Sequence, residues 1–152
     1  MLKAKKGFSL IELLVVIAII GVLSAVGITA YSGYTADAKL KVTTSQHKQL
    51  VSFLNAESAK CAGGSGDFGF LAANGSSTST ACTAAWTVAL IKVHVNSGMK
   101  MNNAYAPDVD FAIASHSATT QGSTVISLNG TSAVVTTRTV GSTDIVDTIA
   151  RY

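Results

Sequence analysis

Gly7-Phe8-Ser9-Leu10-Ile11-Glu12-Leu13-Leu14, continued by an uncharged apolar run from Leu13 to Ala30, decides how this 152-residue chain is organised. Lys3, Lys5 and Lys6 stand ahead of the glycine, and the next charge after Glu12 is Asp37. About 20 apolar residues cross a bilayer as a helix. At ~1.5 Å per residue, Phe8 to Ala30 reaches about 35 Å, enough to cross with some tilt. The lysines at its leading edge put the N-terminus on the cytoplasmic side and everything after Ala36 outside. A secretory signal peptide has a shorter apolar core. This one runs on without a break into sequence that suits a helix.

Glu12 is the anomaly. An ionisable side chain inside an apolar span costs about 2.5–3.5 kcal/mol at mid-helix and less near the end. Such a group is expected to have a partner, and no other charge occurs in the span, so the partner is expected from elsewhere.

The segment Gly7 to Leu14, with the apolar stretch behind it, resembles the N-terminus of type IV pilins and their relatives. The resemblance rests on about 25 of the 152 residues. It implies a leader, residues 1–7, removed by a prepilin peptidase between Gly7 and Phe8, and N-methylation of Phe8. It further implies a salt bridge from Glu12 to the new Phe8 amine of a neighbouring subunit, which would supply the missing partner. A buried carboxylate and a buried amine offset each other's desolvation only when paired. The chain departs from the family pattern at Thr29, where many members carry a proline. Gly21 and Gly27 remain, each costing ~1 kcal/mol of helix propensity relative to Ala.

Composition bounds the rest. Beyond the leader and the helix lies one exterior domain of roughly 110–120 residues. The formal charge of +3 comes from the three leader lysines, which leaves eight Lys/Arg against eight Asp/Glu in the remainder. A balanced charge gives no general argument for nucleic acid as a partner. Cys61 and Cys82 both follow the apolar span, and in an oxidising exterior two such cysteines are expected to form one disulfide.

Tyr31 to Lys60 is proline-free and rich in helix formers, so one helix is expected from about Ser9 to Ser58. Its second half, 37–58, is amphipathic: Ala38, Val42, Leu50, Phe53 and Leu54 fall near one face, with Lys39, Lys48 and Glu57 largely off it. Residues 62–80 are rich in Gly, Ser and Thr and read as a loop. Thr83 to Ser97 carries Trp86, Ala89, Leu90 and Val93 at helical spacing, and Asn96-Ser97-Gly98 is a stop signal. The β-branched Val88, Ile91, Val93 and Val95 argue for a strand instead; a short helix is the preferred reading. A connection through Pro107 follows. Strands are expected at Phe111–Ser115, at Thr124–Leu128 and Ala133–Val140 around an Asn129-Gly130 turn, and at Ile145–Tyr152. The fold class is α+β: a long N-terminal helix, 8–36 in membrane or filament core, and a head, 37–152, ending in an antiparallel sheet over about 111–152.

Chemistry in the head is sparse. Gly64 to Gly69 is a literal GxGxxG but lacks the strand before and helix after that dinucleotide binding needs. His47, His94 and His116 form no zinc motif and read as surface or half-buried structural residues. Asp108-Val109-Asp110 lacks the later ligands of a calcium loop and reads as a polar turn. Asn74-Gly75-Ser76 and Asn129-Gly130-Thr131 match a glycosylation pattern but read as turns. Lys39, Lys41 and Lys48 form a basic strip suited to DNA, though a solvated helix face is preferred. No cofactor, metal or catalytic residue is expected, and the chain reads as no enzyme. The resemblance implies a filament subunit, held in the inner membrane and then exported to the bacterial surface. Its implied partners are further copies of itself, the peptidase and the inner-membrane assembly machinery. A secretion pseudopilin and a minor, ligand- or DNA-binding pilin are the alternatives.

Overall fold

A single helix, α1 (Leu10–Ala62), begins one residue after Ser9 and runs without interruption to the first cysteine. The computed structural model describes residues 7–64, 66–72, 74–82, 87–113, 120–130 and 132–150. Lys3, Lys5 and Lys6, together with Ser65, Trp86, His116, Thr131 and Tyr152, lie outside the described residues. The chain divides into two units, Met1–Ala38 and Lys39–Tyr152, and α1 contributes to both.

Within the first unit the helix is apolar and largely exposed: Leu13, Ile17, Ile20, Leu23, Ile28 and Tyr31 all face outward. By length and composition it is able to cross a membrane. Three of its hydroxyls are satisfied within the helix. Thr29 donates to the Val26 carbonyl at 2.9 Å, Ser32 to the Thr29 carbonyl at 2.8 Å, and Thr35 to the Ser32 carbonyl at 2.9 Å. Such back-bonding lets polar side chains sit in an apolar helix without unpaired donors.

In the second unit α1 covers a sheet with a narrower and more polar face than periodicity suggests. Thr43, His47, Leu50, Leu54, Glu57 and Ser58 are buried, whereas Val42 is exposed. Glu57, expected off this face, is on it. The alternating steps of three and four residues keep one stripe against the sheet, and three of its polar members, His47, Glu57 and Ser58, are held by hydrogen bonds.

The sheet is mixed rather than wholly antiparallel, in the order β3-β4-β5-β6. β4 (Thr124–Asn129), β5 (Ser132–Arg138) and β6 (Asp144–Ala150) form the expected meander. β3 (Ala112–Ile113) pairs with β4 in parallel, and its outer edge is closed by a side chain. Asn96 Nδ2 donates to the Ala112 carbonyl at 3.0 Å, and the Ala112 N–H donates to Asn96 Oδ1 at 2.9 Å. Asn129 pairs with Ser132, so Asn129 belongs to the strand and the turn begins after it, one residue later than expected. Gly130, with φ 54°, supplies the left-handed conformation there.

Residues 62–80 are not a loop throughout. β1 (Asp67–Leu71) and β2 (Ser77–Ala81) make an antiparallel hairpin. Phe68 and Phe70 point to the same side and enter the core with Leu50, Leu54, Ile91, Val95, Phe111 and Val135. Asn74 Oδ1 accepts the Ser76 N–H at 3.0 Å, closing the turn between the strands. The preferred helix in the next segment is present as α2 (Val88–Val93), capped by Thr87 Oγ1 accepting the Leu90 N–H. It then widens into a π-helical turn, His94–Gly98, which ends at the expected stop.

Candidate functional site

The N-terminal site is one turn of chain. Gly7, Phe8 and Ser9 precede the helix, and Phe8 is 85% exposed. Ser9 occupies the N-cap position: its carbonyl accepts the Leu13 N–H at 3.2 Å, the first bond of α1. Glu12 lies three residues on, and its Oε2 accepts the Ser9 backbone N–H at 2.8 Å. The expectation that Glu12 has no partner inside its own segment is thereby corrected. The order Ser-x-x-Glu is a capping box, a signal present in the sequence, and Ser9 is the residue that the charge-based reading passed over. The carboxylate also sits at the positive end of the helix dipole. One N–H leaves the second carboxylate oxygen with spare acceptor capacity.

The head contains a second constellation, of catalytic residue types. His47 on α1 has its Nε2 2.8 Å from Asp147 Oδ2 on β6 and its Nδ1 2.7 Å from Thr137 Oγ1 on β5. Because a carboxylate only accepts, Nε2 donates to Asp147, and a neutral ring then accepts the Thr137 hydroxyl at Nδ1. Thr137 is also hydrogen-bonded to Thr124. Acid, imidazole and hydroxyl stand in line, as in a hydrolase. Thr137 is however fully buried, and His47 is 1% exposed. No substrate reaches that hydroxyl, so the arrangement fastens α1 to the sheet.

His94 is buried as well, stacked on Phe53 with ring centres 4.0 Å apart. Its Nδ1 accepts the Leu71 N–H at 2.8 Å, and burial lowers its pKa, opposed by the nearby Glu57 carboxylate. Both described histidines are thus core residues rather than surface or half-buried ones. Glu57 accepts the Gly69 N–H at 2.8 Å and an ion pair from Lys60, joining the end of α1 to β1. Close by, Cys61 and Cys82 form the expected disulfide, with Cα atoms 5.5 Å apart.

Of the basic strip, Lys39 is engaged, its Nζ 5.8 Å from the centre of the Tyr105 ring, while Lys41 and Lys48 are exposed. Asp108 follows Pro107 in a turn closed by the Val109 N–H donating to the Ala106 carbonyl at 2.9 Å. Among the described residues no three His, Cys, Asp or Glu side chains gather where a metal could be held.

These features define a class: an α+β head carried on a long helix whose outer part is an exposed apolar span. Residues 2–28 match the family model described as the prokaryotic N-terminal methylation motif. A fimbrial protein of Pseudomonas aeruginosa is 47% identical over 49 residues, 32% of this chain and 32% of that protein. The type IV major pilin protein PilE1 of Neisseria gonorrhoeae is 58% identical over 36 residues, 24% of this chain and 22% of its own length. A fimbrial protein of Neisseria meningitidis serogroup B is 58% identical over 36 residues, 24% and 21% of the two chains. The N-terminal segment is therefore similar to those of type IV pilins and fimbrial proteins. The chain spans about a third of the length of the Pseudomonas relative and less than a quarter of the Neisseria ones. The names are those of structural proteins and not of enzymes. No solved structure matches the chain.

Proposed function

We propose that the protein is a structural subunit of a type IV pilus, held in the inner membrane by α1 and then drawn into a helical surface filament. The observation that carries this reading is the N-terminal turn: exposed Phe8, then a first helical turn with a carboxylate, then an apolar exposed helix. Prepilin peptidase cleaves between Gly7 and Phe8, and Phe8 is methylated on its new amine. That amine lies at the start of α1, where a neighbouring Glu12 uses its remaining acceptor capacity to pair with it. Such a pair keeps both charges tolerable in apolar surroundings. Apolar helices then bundle in the filament core, and the heads remain outside. The pilus serves contact between the cell and its surroundings, by adhesion, motility or uptake of DNA. The assembly machinery of the inner membrane supplies the driving force.

Intact-mass measurement of material sheared from the cell surface tests the proposal. The expected species begins at Phe8 and carries one added methyl group. A surface species that begins at Met1, or a chain confined to the membrane, would overturn it.

A further inference from the structure

Lys41 and Lys48 are seven residues apart on α1, two turns along one side. At ~100° per residue that side, shared with Ser45 and Ser52, lies opposite the buried stripe of Thr43, His47, Leu50 and Leu54. Both lysines border a shallow groove lined by Leu40, Thr44 and Ser45, which continues past Gln49 and Ser52. Among the described residues neither lysine enters an ion pair.

The opposite charge stands on an ordered turn. Asp108 and Asp110 are exposed, and among the described residues they likewise enter no ion pair. Their turn is braced from both ends: Asn102 bridges Asp110, and Asn103 Oδ1 accepts the N–H groups of Tyr105 and Ala106 at 2.8 and 3.2 Å. Lys92 borders the same depression as Asp110 without pairing to it.

We propose that these patches are the two halves of one contact: the Asp108–Asp110 turn of one subunit seats between Lys41 and Lys48 on α1 of the next. This rests on the filament reading above. Helical assembly needs a heterologous interface, in which two different surfaces of each copy meet. Two patches of opposite sign, one on the far side of α1, meet that requirement in a chain whose charges balance once Lys3, Lys5 and Lys6 are set aside. A polyanion such as DNA would use the lysines but leave the acidic turn without a role.

The test uses the full chain in cells that assemble the wild-type filament. Lys48→Glu and Asp110→Lys, each alone, are expected to lower sheared filament yield by about tenfold or more, since like charges then face each other. The four-site swap, Lys41→Glu and Lys48→Glu with Asp108→Lys and Asp110→Lys, should restore it. If wild-type filaments form and the single changes have no effect, or the swap fails to restore yield, the contact is wrong. If no wild-type filament forms, the failure belongs to the filament reading instead. A chain carrying Lys48→Cys and Asp110→Cys guards against misfolding of the charge variants: its filaments should give intermolecular disulfide ladders, and only monomers would overturn the contact. DNA retention that is lost with the lysines and not recovered by the swap would overturn it in favour of a nucleic-acid groove.

Discussion

His94 shows how one side chain sets a pH dependence. Burial depresses its pKa below the ordinary 6.5, so the unfolded chain binds more protons than the folded one in acid. Its contribution is complete above that value and is lost as pH falls through the lowered folded value. His94→Phe keeps a ring stacked on Phe53 but removes both the titration and the acceptor of the Leu71 N–H. Loss of that acceptor should cost about 1–3 kcal/mol near neutrality. Stability should then fall less than in the wild type between about pH 7 and about pH 5. Urea unfolding of the detergent-solubilised full chain checks both effects, and an unchanged pH slope would assign the dependence to another group. His47 is present in both proteins, so the comparison isolates His94.

At the scale of elements, α1 is fastened to the sheet by bonds of unequal worth. The His47–Thr137 bond is buried, whereas Asp147 is 51% exposed. His47→Leu should therefore destabilise by about 1–3 kcal/mol, and Asp147→Asn by less than about 1 kcal/mol; equal effects in urea unfolding would contradict the burial argument. The disulfide ties the end of α1 to the end of the β1–β2 hairpin across 21 residues. Replacing both cysteines by serine should lower stability by about 3 kcal/mol on chain-entropy grounds. Hydrogen exchange should show the loss concentrated in residues 67–81. Much of this architecture was legible beforehand, because α1, α2 and the meander follow apolar periodicity or turn chemistry. The β1–β2 hairpin was hidden by its Gly/Ser/Thr-rich composition, although Phe68 and Phe70 alternate around Gly69 at strand spacing. β3 falls inside the strand expected at Phe111–Ser115, but its parallel pairing with β4 and the Asn96 side chain along its outer edge leave no trace in a local pattern. The burial of Glu57 and His47 depends on hydrogen-bond partners 12 to 100 residues away in sequence, which no local pattern reports.

For the molecule as a whole, the proposed passage from membrane to filament raises the question of what Glu12 does in each. Its anomaly was legible from charge alone, and its local partner from the Ser-x-x-Glu spacing, yet the two readings assign the carboxylate different work. As a capping group it needs only an acceptor oxygen, which glutamine also provides. As the partner of an amine on a neighbouring subunit it needs negative charge, which glutamine lacks. Glu12→Gln therefore separates them where an alanine variant would remove both. If the wild type is processed as proposed, the variant should likewise insert in the membrane and be cut after Gly7, because the capped helix is intact. Filament yield should nevertheless fall by about tenfold or more, since a buried amine would be left without a counter-charge. Quantifying cleaved subunit in the membrane against subunit in the sheared fraction gives the answer. A wild-type ratio would reduce Glu12 to a helix cap and remove the electrostatic link between neighbours.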